Sequence, residues 1–244
     1  MRGSMLDQVG RILFRFRSFT PVPLIAVLLA LLWTSPGPGP GGWAVSAALI
    51  PVGIGIALLG EALRFYTLGQ VPNGTSGQGS TLEASSLNMR GPYAFVRNPL
   101  YLGNLGICAG LMLLAHRPWI YAIGFAFFFL EYFFIIRAEE HFLRSKYGSL
   151  FESYASRVRR WIPRLTPAYE GQLRGHFDFA RALKKEHNPF AAWVSGLLLL
   201  LGWRWHQLNT LSDGRLAILV SLEAIVLAIF AMVKAYKRGW LRAY

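Results

Sequence analysis

Polar and aromatic residues that could hold an anionic group surround one Asn-Pro pair of the sequence. Residues 91–101 read GPYAFVRNPLY, in which the Gly-Pro pair begins a turn. Pro99 suits the first turn of a helix, so Arg97, Asn98 and Tyr101 are expected at a helix N-terminus. Free N–H groups and positive potential at such an end favour an anionic ligand. The alternative interpretation is a belt of Tyr, Arg and Asn at a membrane surface, without a ligand.

Two adjacent acids form a second candidate. Glu139 and Glu140 lie just beyond residues 119–136, which are rich in Phe and Tyr. Carboxylates near hydrocarbon are costly without a partner, so this pair could bind a cation. The alternative is a solvated helix end in which Arg137 and Arg144 are the partners. Apolar residues then recur at helical spacing and predict a helix that lies on the membrane or covers a pocket. They are Phe142, Leu143, Tyr147, Leu150, Phe151, Tyr154 and Val158.

The chain that must position these groups has the composition of a membrane protein. Of its 244 residues, 54% are hydrophobic and 15% are charged, whereas a soluble domain carries about 25% charged residues. This composition excludes a disordered chain, a small disulfide scaffold and most soluble enzymes. Six apolar segments approach the length of about 20 residues that a membrane-crossing helix needs. They are residues 19–33, 43–63, 100–115, 119–136, 190–203 and 216–233.

The basic residues predict how these segments are oriented. Lys and Arg next to membrane spans remain in the cytoplasm. With a cytoplasmic N-terminus, all Lys and Arg except Arg117, Arg204 and Arg215 fall on the cytoplasmic side. Both termini are therefore predicted to be cytoplasmic, and the net charge of +13 reflects topology and attraction to anionic lipids. No groove-reading motif accompanies the charge, so nucleic acid is not an expected partner.

Together, the two candidate segments resemble a known superfamily. The first fits G-x-Y-x-x-x-R-N-P-x-Y-x-G, and the second, from Glu139 to Pro163, fits E-E-x-x-L-x-x-x-Y-G-x-x-F-x-x-Y-x-x-x-V-x-R-W-I-P. In this order, and on one predicted side of the membrane, they resemble the integral-membrane methyltransferases. That superfamily contains isoprenylcysteine carboxyl methyltransferase and the phospholipid methyltransferases. The resemblance covers roughly residues 78–163.

The six apolar segments and the resemblance together predict an all-α, polytopic integral membrane enzyme with about six transmembrane helices. The resemblance implies that S-adenosylmethionine (SAM) binds without a Rossmann domain, under cytoplasmic segments, and that its methyl group goes to a lipophilic acceptor from the bilayer. Glu139 would neutralise the amino group of the cofactor, Arg97 would orient the substrate, and Glu140 would support these groups. The implied cofactor contacts are Gln78, Ser85, Ser86, Leu87, Asn88, Tyr93, Asn98, Pro99, Leu100, Tyr101 and Glu139.

Two positions differ from the prenylcysteine enzymes. Many of those enzymes have His where this chain has Asn98, which still donates and accepts hydrogen bonds. They also place a substrate-binding Arg four residues before the acid that matches Glu139, and here that position is Ile135. A substrate carboxylate would then bind Arg97 or Arg137, or the acceptor has no carboxylate. The acceptor stays open among a carboxylate, an amine, a thiol and another isoprenoid.

The chain is predicted to have three parts. Residues 1–68 form an N-terminal unit with two spans, and residues 69–165 form the methyltransferase core. Residues 166–244 form an amphipathic linker and a C-terminal extension with two spans. We expect the extension to wall the entrance for the lipid or to form a dimer contact, and the oligomeric state stays open.

Two alternative functions remain at this point. A sterol-type membrane reductase is similar in fold and would bind NADPH, whereas a membrane scaffold would bind neither cofactor. No metal site is expected, because the five His residues lack metal-ligand spacing.

Three further acids and one Cys lie in or near the predicted spans. Intramembrane acids are candidates for a function. Glu131 could line a substrate channel, although an ion pair or an interhelix contact is favoured. Glu61 has Arg64 one turn away, and Glu223 is interpreted as a packing contact. Cys108 lies in an apolar run and is also interpreted as packing.

Overall fold

The computed structural model describes residues 5–36, 40–71, 84–169 and 177–237. In these ranges the chain forms a 3-10 turn, Gly91–Ala94, and eight α-helices. The helices are α1 (Met5–Phe16), α2 (Pro21–Thr34), α3 (Pro40–Gln70), α4 (Pro99–Ala115), α5 (Pro118–Tyr147), α6 (Ser149–Arg157), α7 (Phe179–Gln207) and α8 (Asp213–Lys237). No strand occurs within these ranges, which confirms the predicted all-α class.

Several helices are long and apolar enough to cross a membrane. By length and composition, three meet this requirement in the part of the chain that is described: α3 over Ala47–Gln70, α5 and α8. The helices α1 and α2 add a fourth if they form one span that is bent by 69°. The helix α4 is a shorter apolar helix, and residues 190–203 form the second half of α7, whose first half is polar. The predicted number of six spans is therefore not confirmed.

Glycines allow α3 and α4 to approach each other closely. A Cβ atom on Gly60 would lie 2.5 Å from the carbonyl oxygen of Gly103, and one on Gly103 would lie 2.7 Å from that of Gly60. Two helical turns away along the pair, a Cβ on Gly53 would lie 2.6 Å from the carbonyl oxygen of Gly110. Small residues permit such contacts between helices in lipid. The close packing brings Arg64 of α3 against the first turns of α4.

Two helix boundaries, at His116 and at Gly148, define the helix that carries Glu139 and Glu140. His116 has a φ of 46° and ends α4, so that α4 and α5 form a hairpin. Gly148 has a φ of 51°, a conformation that favours glycine, and separates α5 from α6. Between these boundaries α5 runs without interruption, so Glu139 and Glu140 lie on the same helix as the apolar run before them.

The N-terminal half of α7 packs against the end of α3. Asp178 caps α7, because its side chain accepts a hydrogen bond from the N–H of Arg181 at 2.8 Å. The N–H of Asp178 donates to the carbonyl of Gly69 at 3.0 Å, and the guanidinium of Arg181 donates to that of Val71 at 2.6 Å. The helix α7 is therefore fixed to the end of α3, and α3 in turn packs against α4, which carries part of the candidate site.

Candidate active site

A cavity of about 660 Å³ lies among α1, α4, α5, α6 and α7 and is bordered by residues 84–98. This volume is in the range of small-molecule sites, about 300–1,000 Å³. Ten of the residues predicted for the site line it: Ser86, Leu87, Asn88, Tyr93, Arg97, Asn98, Leu100, Tyr101, Glu139 and Glu140. Ser85 and Pro99 are not part of its lining in the described structure, and Gln78 lies outside the described residues. The two sequence segments that carry the resemblance therefore meet around one cavity.

The segment before α4 is held in place by its own backbone. Gly91 adopts a φ of 56° at the start of the 3-10 turn. The N–H of Arg97 then donates to the carbonyl of Arg159 at 2.8 Å, and the carbonyl of Phe95 accepts from the N–H of Arg164 at 2.9 Å. Asn98 precedes α4, and its side-chain amide donates to the carbonyl of Arg160 at 3.1 Å. These bonds fasten residues 94–98 to the chain that follows α6.

The hydroxyl groups of two tyrosines hold the rest of residues 84–98, which border the cavity, in place. The hydroxyl of Tyr147 donates to the carbonyl of Ala84 at 2.7 Å, and that of Tyr154 donates to the carbonyl of Tyr93 at 2.8 Å. Burial raises the pKa of Tyr93 and of Tyr154, so both phenols stay protonated at neutral pH. Leu87 packs on the buried side chains of α6, among them Phe151. The apolar face predicted for α6 therefore covers the cavity.

Glu139 lies among aromatic rings. The hydroxyl of Tyr101 donates to Oε1 of Glu139 at 2.9 Å. The ring of Tyr101 lies 4.6 Å from that of Tyr132, and the hydroxyl of Tyr132 accepts from the amide of Asn104 at 2.6 Å. All four side chains line the cavity. A carboxylate beside aromatic faces is an arrangement that attracts an organic cation.

Glu140 is buried and binds two guanidinium groups. Its carboxylate accepts hydrogen bonds from Arg160 at 2.9 and 2.6 Å and lies 3.0 Å from Nη1 of Arg97. Burial lowers the pKa of Arg97, whereas the hydrogen bonds with Glu140 raise that of Arg160. Nε of Arg97 is buried and has no hydrogen-bond partner in the described structure. This side of the cavity therefore holds two cations around one anion.

The alternative partners of the two acids are excluded by this geometry. Arg137 approaches Asp7 of α1 at 3.4 Å, and Arg144 pairs with the exposed Glu152. Arg137 and Arg144 are thus engaged elsewhere, and the interpretation of a solvated helix end is wrong for Glu140. One of its two observed partners, Arg160, was within the second motif but twenty residues away, so helical spacing gave no reason to choose it.

Several lining residues were not predicted. They belong to α1, to the turn after it and the start of α2, to α3, α4 and α5, and to α7 and α8. They include Phe14, Arg17, Ser18, Pro21, Arg64, Asn104, Tyr132, Lys185, Asn188, Pro189, Ala192 and Lys237. The available signal was weak: Asn104 lies one helical turn after Tyr101, and Arg64 is a charge at the end of a predicted span.

The other membrane acids make contacts between helices. Glu61 accepts from the indole N–H of Trp193 at 3.0 Å, and Glu131 accepts from Thr20. Glu223 accepts from Ser195 at 2.8 Å. The interhelix contacts favoured for Glu131 and Glu223 are confirmed, and neither residue lines the cavity in the described structure. Within the described ranges, no group of three or more His, Cys, Asp or Glu residues could hold a metal ion.

The sequence that builds most of the cavity has known relatives. Residues 48–149 match the family model described as phospholipid methyltransferase. The match confirms the resemblance predicted from the motifs, and the apolar helices fit an integral membrane protein. Residues 48–149, called the methyltransferase segment below after the family that they resemble, contain Arg97, Tyr101, Glu139 and Glu140. The helices α6, α7 and α8 lie almost entirely or wholly beyond this segment.

A curated relative extends the comparison without giving a substrate. The nickel-cobalt-cadmium resistance protein NccN of Alcaligenes xylosoxydans xylosoxydans is 31% identical over 143 residues. These residues are 59% of this chain and 62% of the relative, so the chain spans about three fifths of the relative's length. No solved structure matches the chain.

Proposed function

We propose that the protein transfers a methyl group from SAM to a lipophilic acceptor that reaches the cavity from the bilayer. One observation carries this proposal: within the methyltransferase segment, the carboxylate of Glu139 among aromatic rings and the guanidinium of Arg97 line one cavity. The acidic and aromatic part suits a cationic cofactor. The arginine part suits an acceptor with electron-rich oxygen atoms.

The residues fit SAM, which supplies a methyl group already activated on a sulfonium. Glu139 would hold the amino group, and the rings of Tyr93 and Tyr101 would pack against the cationic and adenine parts. Ser86, Leu87 and Asn88 would contact the cofactor from the border, which Tyr147 and Tyr154 hold in place. Asn98 and Leu100, which also line the cavity, would complete these contacts, as the family resemblance implies.

Arg97 is proposed to orient the acceptor, and Glu140 to hold Arg97. Nε of Arg97 is a buried donor without a partner in the described structure, so it could donate to an acceptor oxygen. Ile135, where the prenylcysteine enzymes have their substrate-binding Arg, is completely buried and packs in the core with Phe14. A direct role for position 135 in binding the acceptor is therefore not part of the proposal.

The chemistry asks mainly for alignment and for the exclusion of water. A methyl group on a sulfonium is displaced in line by the nucleophile, so the protein gains most by orienting the two reactants. Arg97, which Glu140 holds in place, and the covered cavity serve these two needs. We further propose that this cavity faces the cytoplasm, as the distribution of basic residues predicts.

Calorimetric titration of SAM into the protein, purified in an uncharged detergent, tests the proposal. We expect micromolar binding, and we expect Glu139→Gln to weaken it by about tenfold or more, because the charge that faces the cationic cofactor is lost. Glu152→Gln is the matched control. It removes the same charge from α6, where Glu152 is exposed and pairs with Arg144, so SAM affinity should not change.

Two further measurements separate the alternatives. A folded sample that binds NADPH in place of SAM would point to a reductase, and binding of neither would point to a scaffold. Transfer of labelled methyl from SAM into membrane lipids by the wild-type protein, and its loss in Arg97→Ala, would support the proposed acceptor class. Binding of SAM without transfer to any lipophilic compound would contradict it.

A further inference from the structure

One face of α7 lines the cavity with a change of polarity along its length. Lys185, Asn188, Pro189 and Ala192 all contribute to the lining. These positions follow the i, i+3, i+4, i+7 pattern of a single helix face. The first two are polar, and the next two begin the apolar half of α7, which continues to Trp203. The wall therefore passes from a charged end to an apolar end.

The last turn of α8 adds a second ammonium group to the charged end. Lys237 lines the same cavity as Lys185. The two helix ends are packed together, since Nζ of Lys184 lies 4.6 Å from the ring of Tyr236 and the ring of His187 lies 5.7 Å from that of Phe230.

The lining of the cavity contains more basic than acidic side chains, and one of the basic ones, Arg64, is neutralised by Glu186 behind the lining. The described lining contains five basic side chains and two acidic ones. The acidic ones are Glu139 and Glu140, and the latter is bound by two arginines. Burial and the neighbouring Arg181 lower the pKa of Lys185, so the approach of an anion would be favourable there.

We propose that Lys185 and Lys237 bind the anionic headgroup, a phosphate or a carboxylate, of a lipid-like molecule whose chain lies along Pro189 and Ala192. The binding site itself does not depend on the proposed function. Only the identification of the bound molecule as the methyl acceptor rests on that function. Both lysines lie outside residues 48–149, so this chain adds the site to the methyltransferase segment. A free anion would satisfy the lysines but would leave the apolar half of the wall uncovered. The change of polarity along α7 therefore favours an amphiphile.

The experiment uses dodecyl phosphate as the probe and inorganic phosphate as its headgroup alone. Both are titrated into the full-length protein in an uncharged detergent, and binding is followed by calorimetry. We expect dodecyl phosphate to bind at least tenfold more tightly than inorganic phosphate. Lys185→Gln and Lys237→Gln should each weaken its binding by about five- to tenfold, since each removes one charge-assisted contact.

The chain offers a matched control for each variant. Lys184→Gln and Lys234→Gln remove the same charge from the same helices, but these lysines lie against Tyr236 and Phe230 and do not line the cavity in the described structure. The affinity of these two control variants for dodecyl phosphate should stay within twofold of the wild-type value. Unchanged melting temperatures in all four variants would show that the fold is intact.

The outcomes separate this site from the methyl-transfer proposal. Equal losses in all four variants would overturn the site, because they would show attraction to charge in general. Equal affinities for dodecyl phosphate and inorganic phosphate would overturn the amphiphile. Binding of dodecyl phosphate that depends on Lys185 and Lys237, in a protein that does not bind SAM, would support the site and contradict the proposed function. Binding of SAM, together with binding of dodecyl phosphate that does not depend on Lys185 and Lys237, would support the proposed function and contradict the site.

Discussion

The carboxylate of Glu186, on α7, accepts two hydrogen bonds from the guanidinium of Arg64, on α3, at 2.7 and 2.9 Å. Both side chains are buried, with exposed fractions of 2% and 8%. Arg64 also donates to Asn104 and lines the cavity. A helix outside the methyltransferase segment therefore fixes the position of a charged residue in that cavity.

Loss of this ion pair should destabilise the protein. Glu186→Gln would leave the guanidinium of Arg64 buried without its carboxylate, and breaking a buried pair in this way costs about 3–5 kcal/mol. We expect the melting temperature in detergent to fall by several degrees, measured by intrinsic tryptophan fluorescence. The exposed pair of Glu152 and Arg144 is the control, since surface ion pairs contribute about 0–1 kcal/mol. An equal effect of Glu186→Gln and Glu152→Gln would show that the buried pair contributes no more than the exposed one.

The hydrogen bond between Tyr101 and Glu139 gives a second prediction. Tyr101→Phe keeps the ring but removes the donor that orients the carboxylate at 2.9 Å. Hydrogen bonds to charged groups contribute about 1.5–3 kcal/mol, so the Kd of SAM should rise by about tenfold in calorimetry. Tyr121→Phe is a suitable control, because Tyr121 lies at the opposite end of α5 from Glu139, where its hydroxyl is 3.3 Å from His116. This variant should leave the Kd of SAM unchanged. An unchanged Kd in Tyr101→Phe would exclude this orienting role.

The close contact of α3 with α4 gives a third prediction. Gly60→Ala would place a methyl group 2.5 Å from the carbonyl oxygen of Gly103, which the backbone must move to accommodate. The expected result is a lower melting temperature, because overpacking costs about 1–3 kcal/mol. Gly55→Ala, on the same helix, would meet no atom within 4 Å and should leave the melting temperature unchanged or slightly raised. Equal melting temperatures for the two variants would contradict the tight packing.

Local patterns predicted the parts of the site that lie close together in the sequence. The types and spacing of residues 91–101 and 139–163 marked Arg97, Tyr101 and Glu139 as candidates, and the family resemblance that these motifs carry implied that they share one site. Pairs that are far apart could not be predicted in this way. Glu186 is 122 residues from Arg64, and no spacing rule connects them.

The polarity of α7 shows a second limit of sequence analysis. The sequence predicted an amphipathic linker within residues 166–244, but its periodicity does not say which side of the helix meets a cavity. Only the packing of α7 against α3 and α8 decides that Lys185 lines it, while Lys184 lies over Tyr236. The number of spans also differed from the hydropathy pattern, since α4 is a shorter apolar helix and residues 190–203 continue a helix whose first half is polar.

The environment of Arg97 predicts a change in the pH dependence of turnover when Lys replaces it. Burial lowers the pKa of this guanidinium, but from an ordinary value so high that Arg97 stays charged at neutral pH. An amine has an ordinary pKa of about 10.4, and the same burial would lower it. Since only the protonated amine could hold an acceptor oxygen, methyl transfer by Arg97→Lys should fall as the pH rises through this lowered pKa. The wild-type protein should not show this loss below about pH 10, and superimposable profiles would contradict the role of Arg97.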